Sequence, residues 1–122
     1  MDQAKILKTI GHPTRIRLLA LLLAHELCVC ELEEILNIRQ ANISKHLFKL
    51  KSEGLVLVRR EKQRAFYFVS DRFKQERLLN EYIQSIVEED ALLQEDYARF
   101  IAHEKVKDQN VYVCNIFKEE KA

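Results

Sequence analysis

Hydrophobic residues recur at helical spacing through the first half of the chain. Gly11 and Pro13 separate two predicted helices, because glycine commonly follows a helix and proline is accepted in a helix's first turn. The apolar faces of these helices are marked by Ile6 and Ile10 in the first and by Ile16, Leu19, Leu22 and Leu23 in the second.

The next segment predicts a helix-turn-helix. One helix begins near Cys30 and stops at Asn37, a residue that tolerates the left-handed conformation. A second covers roughly residues 40–54 and closes at Gly54. Its apolar stripe consists of Ile43, Leu47 and Leu50. Two short helices joined by a tight turn, the second rich in hydrogen-bonding side chains, are typical of this motif.

The pattern after Gly54 predicts a β-hairpin and then a long terminal helix. "LVLVRR" and "RAFYFV" are rich in β-branched and aromatic residues, and "EKQ" separates them. Helical spacing returns from Phe73, with enough apolar surface to pack on a partner. We therefore expect a mostly α winged helix-turn-helix with a β-hairpin wing. We expect residues 1–106 to form the DNA-binding and dimerisation domain, and residues 107–122 to form a C-terminal tail that carries Cys114.

Composition places the chain among ordinary single-domain proteins. Its 122 residues are 48% hydrophobic and 32% charged. No apolar run approaches the ~18 residues of a membrane span, and the N-terminus lacks the apolar core of a secretory signal. The three cysteines form no visible disulfide framework. We expect a cytoplasmic protein with no membrane partner.

Charge is divided unevenly along the chain. Residues 37–72 carry nine Lys/Arg against three Asp/Glu, a net of +6. The preceding 36 residues carry four against five, and residues 73–110 carry five against nine, giving −1 and −4. A basic segment between acidic flanks is expected where a protein meets phosphates, although a solvated charged surface has the same composition.

Polar side chains of the second motif helix and of the hairpin are the candidate DNA contacts. The amides of Gln40 and Asn42 suit adenine, and Lys45 suits guanine or phosphate. Ser44 and His46 flank the apolar stripe, and we expect them to reach phosphates. The alternatives are that Ser44 bonds a carbonyl one turn back and that His46 packs in the core. Arg15 and Arg17 are weaker candidates. The full candidate set is Gln40, Asn42, Ser44, Lys45, His46, Lys49, Lys62 and Arg64.

No enzyme signature accompanies these residues. The chain has no C-x-x-C motif, no glycine-rich phosphate loop and no His/Asp set around a nucleophile. A dimerisation or scaffold module would leave the basic helix and hairpin unexplained. We therefore expect a DNA-binding protein that is not an enzyme.

Cys28 and Cys30 lie two residues apart in "ELCVCEL". Within a regular helix such residues point ~200° apart, so a shared ligand requires the pair to straddle a helix start. We expect Cys30 at the N-cap, Glu33 completing a capping box, and Cys28 in the extended segment before it. The helix terminus lowers a thiol pKa and nearby glutamates raise it, and the sequence leaves the balance open. The alternative is that these cysteines are small buried hydrophobes.

These segments together resemble the arsenic-repressor (ArsR/SmtB-type) family of bacterial metal-sensing transcription factors. The similarity lies in "HPTRIRLLALL", "ISKHLFKLKSEGLV" and "RREKQRAFYFV", and covers roughly residues 5–105. "ELCVCEL" looks like the metal box of its arsenic and cadmium branches. The resemblance implies a homodimer, formed through the N- and C-terminal helices, that leaves operator DNA when metal binds. Arg39 stands where the family commonly has a helix-capping serine.

The resemblance further implies trivalent arsenic or antimony as the inducer, held by three thiolates. The family's arsenic box often has a third cysteine three residues after the second, where this chain has Glu33. We therefore expect Cys114 to complete the set with Cys28 and Cys30. A second family site, for zinc on the terminal helix, keeps only Asp90 and His103 of four ligands. We interpret that site as absent and His103 as a surface histidine.

Two alternatives use the same cysteine pair. A cadmium, lead or zinc sensor would add a carboxylate or further cysteines before the first helix, and no cysteine precedes Cys28. A redox or persulfide sensor would bridge Cys28 or Cys30 to Cys114 without metal.

Overall fold

The computed structural model describes residues 2–108, which form a winged helix-turn-helix. The helices are α1 (Gln3–Ile10), α2 (Pro13–Ala24), α3 (Val29–Leu36), α4 (Gln40–Ser52), α5 (Asp71–Lys74), α6 (Arg77–Glu89) and α7 (Ala91–Asp108). The strands are β1 (Leu27–Cys28), β2 (Val56–Glu61) and β3 (Arg64–Val69). The expected fold class, mostly α with a β-hairpin wing, is confirmed.

Short-range signals end the helices where the sequence predicts. Pro13 occupies the first turn of α2, and the Nδ1 atom of His12 accepts a hydrogen bond from the Thr14 amide at 3.2 Å. Asn37 ends α3 in the left-handed conformation, with φ 56° and ψ 44°. Gly54 follows α4 with φ 78°, which favours glycine. Arg39 stands at the N-cap of α4 and makes no side-chain capping bond.

The wing is a three-stranded antiparallel sheet in the order β1-β3-β2. β2 and β3 pair with Glu61 opposite Arg64, so Lys62 and Gln63 form the turn. Lys62 has φ 57° there. The hydrophobic pattern did not predict the third strand, β1, in which Leu27 pairs with Tyr67 and Cys28 pairs with Phe66. β1 therefore joins the cysteine segment directly to the wing.

The core is built from the apolar stripes of α2, α3 and α4. Ile43, Leu47 and Leu50 of α4 are fully buried, as the stripe predicts. They pack in one cluster with buried residues of α2 and α3, including Leu18, Leu19, Leu32 and Ile35. The opposite face of α4 is consequently turned to solvent.

The prediction of one long terminal helix is wrong. The segment forms α5, α6 and α7, with α6 ending at Asp90 and α7 passing the expected domain boundary at 106 to reach Asp108. Asp90 Oδ1 accepts hydrogen bonds from the amides of Leu92 and Leu93 at 3.0 and 3.1 Å. This side chain thus starts a new helix, which is the capping role of aspartate. The tail after residue 108 lies outside the described residues.

Helix α7 packs on α2 and α3 through a buried ion pair. Arg17 donates to both carboxylate oxygens of Asp96, at 2.8 and 2.9 Å, and to the Leu36 carbonyl at 3.0 Å. Asp96 is 1% exposed and also accepts from Arg99 at 2.9 Å. Arg17, a weaker DNA candidate in the sequence, is therefore a packing residue that holds α7 in place.

Large apolar side chains remain exposed on the outer helices. They are Leu7 on α1, Leu78 and Tyr82 on α6, and Leu92, Tyr97, Ile101 and Val106 on α7. This agrees with the prediction that the terminal segment carries surplus apolar surface. Among the described residues, none of the helices combines the length and apolarity that crossing a bilayer requires.

Candidate DNA-reading surface and thiol site

The outer face of α4 presents most of the predicted DNA contacts to solvent. Since Ile43, Leu47 and Leu50 anchor the inner face, the helix exposes Gln40, Asn42, Ser44, Lys45 and Lys49. The Lys49 ammonium lies 3.4 Å from the Glu53 carboxylate one turn later. The arrangement offers amide, hydroxyl and ammonium groups on one convex surface, which is the chemistry of major-groove recognition.

His46 is buried, which is the packing alternative left open by the sequence. Its side chain lies against α2, where Arg15 Nε donates to His46 Nδ1 at 3.3 Å and the His12 ring centroid lies 4.4 Å away. Burial, followed by repulsion from His12, Arg15 and Lys45, lowers the pKa of His46. A neutral ring keeps an acceptor for Arg15. The geometry gives His46 the role of fixing α4 against α2.

The two predicted DNA contacts of the wing, Lys62 and Arg64, lie in different surroundings. Lys62 is exposed at the turn. Arg64 is directed inward: its Nη2 atom lies 3.0 Å from Cys28 Sγ and 3.6 Å from a Glu31 carboxylate oxygen. Its guanidinium carbon also lies 5.0 Å from the centroid of the Phe66 ring. Arg64 thus contacts the cysteine segment.

The cysteine pair straddles the start of α3, as the argument from helical geometry requires. The predicted capping residues are wrong, however, because α3 begins at Val29 and the N-cap is Cys28. Cys28 is extended because it pairs with β3, and the helix begins directly after it. The helix start therefore lies two residues closer to the N-terminus than predicted. The capping box is completed by Glu31, whose side chain accepts from the Cys28 amide at 3.1 Å. Both cysteine side chains are nearly inaccessible, 3% exposed for Cys28 and 5% for Cys30.

The two cysteines differ in chemical state. Cys28 is a free thiol, and Cys30 is disulfide-bonded. Burial raises the pKa of the Cys28 thiol, and the Glu31 charge adds to this, against the lowering by the Arg64 hydrogen bond. Burial and the Glu31 charge therefore prevail over the contacts that favour the Cys28 thiolate. Cys114 lies outside the described residues.

Glu31 connects three elements from a fully buried position. Its carboxylate lies 2.8 Å from His103 Nε2 and 2.9 Å from Lys107 Nζ, both on α7. Burial favours the neutral acid, but the hydrogen bonds from His103, Lys107 and the Cys28 amide outweigh it and lower the pKa of Glu31 to about 2. Glu31 is thus an ionised hub that joins the cysteine segment to α7 and the wing. We call Glu31, Arg64, His103 and Lys107 the Glu31 cluster.

The prediction that His103 is a surface histidine is wrong, since it is 6% exposed and bonded to Glu31. Asp90, the other surviving residue of the family's zinc set, caps α7 instead. Glu31, His103 and Glu104 do lie within 4.8 Å of one another. Lys107 neutralises this group by contacting both carboxylates, at 2.9 and 3.3 Å. The carboxylates of Glu31 and Glu104 are therefore paired with the Lys107 ammonium group.

A cavity of about 180 Å³ lies beside the cysteines. Its walls include Cys28, Cys30, the first residue of α4 (Gln40), and Gln63 and Arg64 of the wing. The two cysteines therefore share one small space with the start of α4 and with the wing. The sequence offered no signal for this, because its walls come from three separate segments.

Comparison with known proteins identifies the family. The profile described as "Bacterial regulatory protein, arsR family" matches residues 12–57, which span α2, α3 and α4. The cadmium resistance transcriptional regulatory protein CadC homolog of Staphylococcus aureus is 32% identical over 99 residues, 80% of this chain and 74% of that protein. The chain belongs to the arsR family.

Two further proteins similar to this chain are a repressor and a DNA-binding domain. The biofilm growth-associated repressor of Agrobacterium fabrum is 41% identical over 70 residues, which cover 57% of this chain and only 60% of that repressor. A solution structure from Mycobacterium bovis, Mb0332, is titled a homodimeric winged helix-turn-helix DNA-binding domain of a possible ArsR-family regulator. It matches with a TM-score of 0.60 at 28% identity, over 70% of this chain and 78% of that one. The family and the fold of this chain are those of DNA-binding transcriptional regulators rather than of enzymes.

Proposed function

We propose that this chain is a homodimeric repressor that leaves its operator when trivalent arsenic or antimony is bound by cysteine thiolates. The observation that carries the proposal is the cavity whose walls include both cysteines, the start of α4 and the wing. A ligand bound there contacts the DNA-reading elements directly. Membership of the arsR family supports the DNA-binding half of the proposal.

For DNA binding, we propose that α4 enters the major groove. Gln40, Asn42 and Lys45 read base edges, while Ser44 and Lys49 contact phosphates. Lys62 extends this contact to the neighbouring backbone or minor groove. His46 contributes by fixing α4 against α2. Dimerisation through α1 and the C-terminal helices, whose apolar side chains are exposed, sets the spacing of two α4 helices on half-sites ~34 Å apart.

Lys62 tests the wing contact. We expect Lys62→Gln to weaken binding to all duplexes similarly and to reduce the slope of log affinity against log salt by about one per protomer, because one phosphate contact is lost. Fluorescence anisotropy over a salt series measures this. Lys74→Gln removes an exposed charge from α5 and serves as the control. An unchanged salt slope in Lys62→Gln would remove the wing from the interface.

The donor set fits a soft ion. Trivalent arsenic and antimony are soft and bind sulfur in preference to the oxygen and nitrogen donors nearby. Cys28 and Cys30 would hold it once the Cys30 disulfide is reduced, and we propose Cys114 as the third thiolate. Glu31 is an unsuitable ligand, because its carboxylate is already occupied by His103, Lys107 and the Cys28 amide.

Coupling to the wing follows from the contacts of Cys28. Its backbone pairs with Phe66 of β3, and its sulfur accepts from Arg64. A Cys28 sulfur engaged in coordination no longer accepts from Arg64 in the same way, and its backbone moves with β3. We therefore expect the wing and the start of α4 to shift when the thiols are occupied. By linkage, inducer and DNA weaken each other's binding by the same factor.

The deciding experiment titrates the reduced protein with arsenite, cadmium and zinc while following release from its promoter DNA. We expect release by arsenite at the lowest concentration, and Cys114→Ser to raise that concentration because one thiolate is lost. The CadC homolog makes cadmium the nearest rival. Release by cadmium alone would replace the proposed inducer, and an unchanged arsenite response in Cys114→Ser would remove Cys114 from the site.

A thiol-oxidation sensor is the second candidate, favoured by the disulfide at Cys30. In that case operator release follows oxidation without any metal. Intact mass under oxidant, measured in metal-free buffer alongside DNA binding, separates the two functions.

A further inference from the structure

The outer face of α4 carries one large apolar side chain that the assigned DNA contacts do not include. Phe48 is 73% exposed, the largest value among the exposed hydrophobic residues of the described structure. Its neighbours on the helix are Lys45 and Lys49. The exposed apolar residues of α1, α6 and α7 belong to other elements, so Phe48 is separate from the surface proposed for dimerisation.

Helical geometry places Phe48 on the outermost line of α4. It lies roughly 160° around the axis from the buried Leu50. Ser44 and Lys45 precede it by four and three residues, the spacing of side chains that neighbour one another on a helix surface. The surface that presents candidate base and phosphate contacts therefore also presents a phenyl ring.

We propose that Phe48 is a specificity-determining residue that contacts the 5-methyl group of thymine in the operator's major groove. Thymine is distinguished there by this methyl group, and apolar side chains including phenylalanine recognise it. The occupant is DNA because lysines flank the ring and attract phosphates, whereas the core of a protein interface is depleted in charge. The inference rests on the proposed groove-reading role of α4.

The test is a double-mutant cycle that combines removal of the Phe48 ring from the protein with removal of the methyl group from the DNA. The wild-type protein first selects its duplex from a randomised library, and each thymine of that duplex is then replaced by uracil, which lacks only the methyl. We expect one symmetric pair of replacements to weaken wild-type binding by about fourfold per half-site, the value of one buried carbon group. Phe48→Ala should bind the thymine and uracil duplexes equally, and Phe48→Leu should retain part of the preference.

Three outcomes overturn the inference. Uracil could weaken the wild type and Phe48→Ala by the same factor, or could weaken neither. Phe48→Ala could instead shift the monomer–dimer equilibrium in sedimentation, which would assign the ring to a second copy of the chain. If the wild type selects no duplex at all, the groove-reading role of α4 fails, which is distinct from a protein that binds DNA without thymine preference.

Discussion

Replacing Glu31 with glutamine will lower the free energy of unfolding by about 3 kcal/mol, the usual order for breaking a buried ion pair. Glu31 is fully buried and contacts His103, Lys107 and Arg64 at 2.8, 2.9 and 3.6 Å. A neutral amide leaves the cations of α7 and β3 without their shared counter-charge. Urea unfolding followed by circular dichroism, at one protein concentration, measures the loss.

The matched control is Glu34→Gln on the same helix. The Glu34 side chain is 53% exposed and lies 3.9 Å from His103, so its pairing is weak. We expect little change in stability for this variant. Equal losses in the two variants would show that the Glu31 cluster does not stabilise the fold.

The contribution of Glu31 depends on pH in a stated direction. Its folded pKa of about 2 lies below its ordinary value of 4.5. The stabilisation is therefore present above pH 4.5 and is lost as the pH falls toward 2. The stability difference between wild type and Glu31→Gln should narrow as the pH falls below 4.5. A difference that widens on acidification would contradict an ionised Glu31.

The double variant Cys28→Ser with Cys30→Ser will bind operator DNA but will not be released by arsenite. Serine is a favoured N-cap residue, and its hydroxyl can accept from Arg64, so the start of α3 is expected to persist. The variant loses both described thiols of the cavity. Couplings between inducer and DNA are typically about 5- to 150-fold, and we expect this factor to vanish.

Anisotropy titrations of reduced wild type and double variant, with and without arsenite, measure the response. Circular dichroism shows whether the variant is folded, which separates loss of the ligand site from loss of structure. Cys28→Ser alone should retain a weakened response. A double variant that still releases its operator would place the inducer elsewhere in the protein.

The exposure of most candidate DNA contacts on α4 could be predicted from sequence, because they lie opposite the apolar stripe of that helix. Ile43, Leu47 and Leu50 define the inner side of α4, and the opposite side must then be exposed. His46 falls beside this stripe, where spacing alone does not distinguish a phosphate contact from a packed ring. The structure shows a packed ring that contacts Arg15, 31 residues earlier in the chain.

At the cysteine pair, too, local geometry was predictable from sequence and a long-range contact was not. The requirement that Cys28 and Cys30 straddle a helix start follows from the 100° turn per residue and is met by the structure. Which cysteine caps the helix depends on β1 pairing with β3, which no local pattern signalled. The capping glutamate is accordingly Glu31, two residues earlier than predicted.

The sequence by itself determined the helix-turn-helix, the wing, and the helix ends at Gly11, Asn37 and Gly54, because periodicity and capping act between residues a few positions apart. Only the tertiary structure decided that Arg64 contacts Cys28 and that His103 meets Glu31, pairs 36 and 72 residues apart. The physical reason is burial. A charged side chain is stable in the interior only when counter-charges from distant segments reach it, and the folded arrangement of helices and strands determines which ones do.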